Sequence, residues 1–192
     1  MQDGHFFGEI PGRFLSIEAY RDLVEAHPID RPGIFVEVGT REGASTAYFG
    51  IETVNAGKTI AMHVVGDWAD DEEEKAFGAT VGRRLKKAGV VVRQWPGAAP
   101  GGAAAAEKFK DGSIDLVWIL ADWRIPNPAP IVEAALAAWR PKVRPGGVIG
   151  GDGWNVPGVR AVVAEAAGGP VSPLLETHRG RAGSAYWKIT IA

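Results

Sequence analysis

The 192-residue chain has no cysteine. Disulfides, thiolate zinc sites and cysteine nucleophiles are all excluded by that one absence. An excess of either charge is missing too: 21 Lys and Arg stand against 23 Asp and Glu, leaving a net charge of −2. A surface so balanced carries no electrostatic footprint for nucleic acid or for an anionic membrane, and neither is expected as a partner. No apolar run approaches the roughly 20 residues of a membrane span. The opening Met1-Gln2-Asp3-Gly4-His5 lacks a basic stretch leading into an apolar one, so a secretory leader is not expected and a cytoplasmic location is. His5, His27, His63 and His178 are scattered without metal-ligand spacing. The Gly-x-Ser-x-Gly elbow of the serine hydrolases is also absent.

Apolar residues make up 46% of the chain and charged residues 23%, proportions that suit a globular protein with a sizeable core. Neither repeats nor an interior linker divide it. One domain over 1–192 is expected, with a helical lead-in at about 1–30. Ser16 is placed to cap a helix in which Ile17, Tyr20, Leu23 and Val24 share a face. Strand-like runs then follow at about 34–38, 59–65, 90–93, 114–120, 148–150 and 184–191. Helical patterns lie between most of them, from about 43, 70, 102, 129 and 157. The helix opened by Asp70-Asp71-Glu72-Glu73-Glu74 closes on Arg83, Arg84, Lys86 and Lys87, an order that suits the helix dipole. Alternating units with nearly continuous apolar strands predict an α/β fold: one doubly wound, mostly parallel sheet with helices on both faces.

The most informative stretch is Phe35-Val36-Glu37-Val38-Gly39-Thr40-Arg41-Glu42-Gly43-Ala44-Ser45-Thr46. A buried strand stops at an acid and turns into a helix through two glycines four residues apart. Bare backbone there lets a ligand come close, and the helix start offers free N–H groups to an anion. The dinucleotide fingerprint needs Gly-x-Gly-x-x-Gly, which this run does not supply, so a nicotinamide dehydrogenase is disfavoured. In open α/β sheets ligands lie beyond the carboxyl ends of the strands. That rule nominates Gly39, Thr40 and Gly43 after strand one, and Asp67 and Trp68 after strand two. It adds Gln94 and Trp95 after strand three, Asp122 and Trp123 after strand four, and Asp152 and Trp154 after strand five. A carboxylate at such a place takes ribose hydroxyls or an ammonium, and an indole offers a stacking face.

The run from Glu37 to Gly43 resembles the first motif of class I S-adenosylmethionine-dependent methyltransferases. Asp111-Gly112-Ser113-Ile114-Asp115-Leu116-Val117-Trp118-Ile119 and Arg140-Pro141-Lys142-Val143-Arg144-Pro145-Gly146-Gly147-Val148-Ile149-Gly150-Gly151-Asp152 resemble motifs four and five of its small members. The similarity is greatest to the group holding caffeoyl-CoA and catechol O-methyltransferases and their bacterial relatives. It implies S-adenosylmethionine as cofactor, a small-molecule methyl acceptor, sites at the strand ends, and room for a homodimer. The cofactor residues it implies are Glu37, Gly39, Thr40, Gly43, Asp67, Trp68, Gln94, Trp95 and Asp122; Gly39 is expected where a side chain would meet the cofactor. Asp122 and Asp152 are the carboxylates expected to face the acceptor, with Trp123 and Trp154 as pocket walls.

The departures bear on chemistry. The family's cation-dependent members place a metal-binding Asp directly after the strand-four Ile and a second acid or amide after the strand-five Asp. Here those positions are Leu120 and Gly153. A hard divalent cation wants several oxygen ligands, so no metal is expected and O-methylation without one is the leading reading. The same departures motivate the alternative: a catalytically degenerate cofactor-binding or interaction protein on the same fold. Asn127-Pro128-Ala129-Pro130 only faintly echoes the amino-group methyltransferases of nucleic acids, and it comes without a basic patch.

Overall fold

The computed structural model describes residues 4–12, 14, 17–68, 70–97, 100–121, 125–169, 171, 173–178 and 181–192. Strands β1 (Gly33–Thr40), β2 (Ile60–Gly66), β3 (Val92–Pro96), β4 (Ile114–Ile119), β5 (Val143–Gly151), β6 (Pro173–His178) and β7 (Arg181–Thr190) form one sheet. Its order is β3-β2-β1-β4-β5-β7-β6. The first five strands run parallel, β7 is antiparallel to β5, and β6 closes a hairpin with β7. This is the expected doubly wound sheet, and the winding reverses between β1 and β4, where a ligand crevice opens.

Each side of the sheet has its own core. Val36 and Val38 of β1 pack with Val132, Ala135, Leu136 and Trp139 of α6 (Ala129–Trp139), and Val159 and Val163 of α7 (Pro157–Ala167) join them. Phe35, the alternate neighbour in β1, turns to Tyr20 of α1 (Ile17–Ala26) and Phe49 of α2 (Ala44–Asn55) on the other face. The period-2 alternation of β1 thus feeds two helical layers. Ser16, expected to cap α1, lies outside the described residues.

The acidic run does open a helix. Asp70 is its N-cap, with Oδ1 accepting from the amides of Glu72 and Glu73 at 3.0 Å each. The helix is not uniform, however: α3 (Asp71–Phe77) passes through a π-helical turn (Gly78–Gly82) into α4 (Arg83–Lys87). The short helix α5 (Ala103–Ala106) is briefer than the alanine-rich sequence suggests. Strand β5 begins at Val143, so Pro145-Gly146-Gly147 lies within it and not before it. Strand β6 was not anticipated. It lies at the edge of the sheet, paired only with β7, where a strand needs little of the apolar alternation that marks a buried one.

Candidate functional site

The carboxyl ends of β1, β2, β4 and β5 meet at the point where the winding reverses, and the glycine loop lies among them. Glu37 is 1% exposed, and its carboxylate is spent beneath that loop. Oε1 accepts from Ser45 Oγ at 2.7 Å and Thr46 Oγ1 at 3.0 Å, while Tyr20 OH donates to Oε2 at 3.4 Å. Burial raises the Glu37 carboxyl above its ordinary value, against the lowering effect of these hydroxyls. Thr40 belongs to the same buried network, its Oγ1 lying 2.8 Å from that of Thr46. Glu37 and Thr40 therefore shape the start of α2 from below.

Both glycines of the loop are required by protein neighbours. Gly39 has φ +89°, and a Cβ there would stand 2.7 Å from the Leu120 carbonyl oxygen. Gly43 has φ +90°, and a Cβ would stand 2.4 Å from Cε2 of Phe77 in α3. A side chain at Gly39, expected from the sequence to meet the cofactor, would first collide with the segment following β4.

The loops after β1 and β2 are fastened together. Arg41 pairs with Asp67 at 2.8 Å, and the Trp68 indole N–H donates to the Arg41 carbonyl at 3.2 Å. Trp68 lies back over Gly66, tilted against Phe77. Gln94 and Trp95, expected beyond β3, lie inside it and point to opposite faces, because β3 runs on to Pro96. Gln94 turns toward Gly78 of the π turn, with Oε1 buried and lacking a hydrogen-bond partner. Trp95 packs against Phe109 and donates its indole N–H to His63 Nδ1 at 3.0 Å. Burial, helped by Arg93, lowers the His63 imidazole to about 4, so it is a neutral core group, as its place inside β2 suggested.

At the far side of the crevice, Asp152 Oδ1 accepts the Ala121 amide at 2.5 Å and ties the end of β5 to the end of β4. Trp187 donates its indole N–H to the Asp152 carbonyl at 2.9 Å. Tyr20 lies near enough that burial, then Glu37, then Asp152 raise its phenol well above the usual value. Asp122 and Trp123 lie outside the described residues. Among the described residues no group of three or more His, Asp or Glu is placed to hold a metal ion.

Sequence reasoning missed a cavity of about 590 Å3 beside the fastened loops. Its walls come from the segment around Phe6 to Pro11, from Arg41 and Glu42, from Asp67 and Trp68, and from the α3–α4 helix. The signal was dispersed over four segments, of which only the one holding Arg41 and Glu42 belongs to a motif.

Residues 36–154, more than half of the chain and the span that holds all these strand ends up to Trp154, match a family model described as a methyltransferase domain. The chain belongs to this family. Its cofactor is accordingly S-adenosylmethionine. No curated protein matches the sequence. Among solved structures, an O-methyltransferase from Bacillus cereus, in complex with SAH, superposes with a TM-score of 0.63 at 20% identity, covering 95% of this chain and 85% of that one. An rRNA methylase from Streptococcus thermophilus superposes with a TM-score of 0.61 at 10% identity, covering 95% and 100%. CalS11, a TDP-rhamnose 3'-O-methyltransferase of calicheamicin biosynthesis, gives 0.56 at 17%, covering 90% and 76%. These likenesses establish the methyltransferase fold. No helix among the described residues of this methyltransferase is long and apolar enough to cross a membrane.

The residues present fit the cofactor. The N-terminus of α2 opens at Gly43 with no side-chain cap, leaving backbone N–H groups for a carboxylate. Within β3, the partnerless Oε1 of Gln94 suits an amino group.

Proposed function

We propose that this methyltransferase passes the methyl group of S-adenosylmethionine to an oxygen of a small-molecule acceptor, with no metal ion. The observation that carries the reading is the meeting of the β4 and β5 ends at Asp152, with Leu120 and Gly153 where a cation would need oxygen ligands. The balanced charge of the chain supports a small acceptor over a nucleic acid.

The cofactor supplies an activated methyl carbon when bound. The glycine loop from Gly39 to Gly43 and the first turn of α2 hold its amino-acid end, and Asp67, Trp68 and Gln94 serve its nucleoside. Glu37 and Thr40 act by holding that loop in shape, and Trp95 by supporting β3 from the core side. Transfer is then a matter of aligning the acceptor oxygen and removing its proton. Asp122 and Asp152 are the carboxylates assigned to that task, and Trp123 and Trp154 wall the acceptor. Asp152 is held in place by the Ala121 amide, which keeps a carboxylate at the junction of two strand ends.

Calorimetric titration with S-adenosylhomocysteine, followed by radiolabelled methyl transfer over an acceptor panel in excess chelator, tests the reading. Cofactor binding with chelator-resistant transfer is expected; transfer that requires added magnesium overturns metal independence. One observation favours the second reading, a binding protein without turnover: the carboxylates of Asp67 and Asp152 are both engaged by the protein itself. Cofactor binding with no transfer to any acceptor would support it.

A further inference from the structure

We infer that residues 8–12 form a strap that gates the cofactor, with Glu9 as its latch and Arg84 as the catch. This rests on the reading above that gives Asp67 and Trp68 to the nucleoside of S-adenosylmethionine. Both residues line the cavity of about 590 Å3, so the other walls of that cavity enclose the bound cofactor. Phe6, Glu9, Ile10 and Pro11 make one such wall, and Arg84 of α4 belongs to another. A bond between Glu9 and Arg84 therefore joins two walls of the cavity.

The segment runs between two fixed points. Before it, His5 Nε2 lies 3.0 Å from Glu52 Oε2 and the His5 ring stacks on Tyr48 at 4.5 Å, both partners being residues of α2. Phe6 is 5% exposed and anchored in the core with Tyr20 and Phe49. After Phe6 the burial ends. A short helical turn, Phe7–Glu9, buries none of its residues, and nothing stands within 4 Å of where Gly8 would carry a Cβ. The second fixed point is Gly12, with φ +107°, against Glu42 of the glycine loop. Between these points Glu9 ties the strap to α4. Arg84 Nη1 and Nη2 donate to its two carboxylate oxygens at 2.8 and 3.2 Å. The same guanidinium lies 3.8 Å from the centre of the Phe6 ring, so the anchor holds the catch in place independently of Glu9. The pair is well oriented but wet: 41% of the Arg84 side chain and 66% of the Glu9 side chain are exposed. Water and salt compete for such a pair, so it sets how often the strap lifts and does little to brace the fold. Covers of this kind exclude water during transfer, and their opening for product release commonly sets the rate of turnover.

The test follows radiolabelled S-adenosylhomocysteine on the full chain, by rapid filtration for association and by an unlabelled chase for dissociation. Glu9→Gln removes the charge of the latch and leaves Asp67, Trp68 and the glycine loop as they are. Both rate constants should rise together by about two- to fivefold, the range of an exposed ion pair. The dissociation constant should stay nearly unchanged, because a gate acts on entry and exit alike. Glu9→Lys, which sets two cations face to face, should speed both steps further. Raised salt should quicken exchange in the wild type and not in Glu9→Gln; the ligand carries no net charge, so steering is not involved. Unchanged rates in both Glu9 variants overturn the gate. An affinity change carried by dissociation alone also overturns it, since Glu9 would then be a contact of the ligand. Ala76→Trp, at an exposed position of α3 that lines the same cavity, should abolish binding. Full affinity in that variant would instead sink the placement of the nucleoside on which the strap depends, whatever the Glu9 variants do.

Discussion

Gly39 shows how a residue chosen by a motif is enforced by its neighbours. The Leu120 carbonyl stands 2.7 Å from where its Cβ would be, and φ is +89°. Gly39→Val combines backbone strain with a collision, and a loss of about 2–5 kcal/mol is expected in the denaturant midpoint. An unchanged midpoint would show that the segment after β4 yields freely. Glu37 is read in the same way. Glu37→Gln keeps an oxygen for Ser45 and Thr46 and offers an N–H to Tyr20, whereas Glu37→Ala removes the acceptor that three buried hydroxyls share. The alanine variant should lose roughly 2–5 kcal/mol more than the glutamine one; equal losses would refute the bonding described. His63 titrates with a defined sign. Its folded value, about 4, lies below the ordinary 6.5, so its contribution is complete above 6.5 and is lost as pH falls through 4. His63→Gln, which still accepts from Trp95, should show a smaller fall in melting temperature across that window than the wild type.

Among elements, the two edges of the sheet are put to different uses. At the amino ends of β1 and β4, Asp115 accepts from Arg144 Nε at 2.6 Å and from the Ile34 amide at 2.9 Å, and pairs with Arg31 at 2.8 Å. Burial pushes its carboxyl up, but Arg144, the Ile34 amide and Arg31 together hold it below the usual value. Asp115→Ala should cost about 3–5 kcal/mol, since it leaves two arginines and an amide without their acceptor, and it should spare S-adenosylhomocysteine affinity in the folded protein. A drop in affinity matching the drop in stability would deny that the two edges are separable. Strands β1, β2 and β4 were legible in the sequence because both of their faces are buried, which forces long apolar runs. Edge strand β6 and the end of β3 carried weaker patterns, and the π turn had no signature beyond glycines at 78 and 82. The glycine loop could be recognised, but its fastening by Arg41, Asp67 and Trp68 could not. That joins side chains from two loops, and no local pattern shows which loops become neighbours.

Taken as a whole, the molecule brings its best-formed features to one edge of the sheet, and Asp152 is where the proposed function ties that arrangement to turnover. Its carboxylate accepts the Ala121 amide, so it joins β5 to β4 and stands at the crevice with a charge. Those two roles can be separated. Asparagine has nearly the same shape, and its oxygen still accepts the Ala121 N–H, so Asp152→Asn should keep both the strand junction and S-adenosylhomocysteine affinity. The lost charge removes a base or acceptor-orienting group, and turnover should fall by roughly 10²–10⁴-fold if that group takes the acceptor's proton. A parallel loss of stability and turnover would reduce Asp152 to a strand tie. Full turnover in the variant would pass the proton-accepting role to Asp122. With Leu120 and Gly153 at the flanking positions, the wild type and the variant should both be indifferent to chelator, which keeps the comparison one of charge alone.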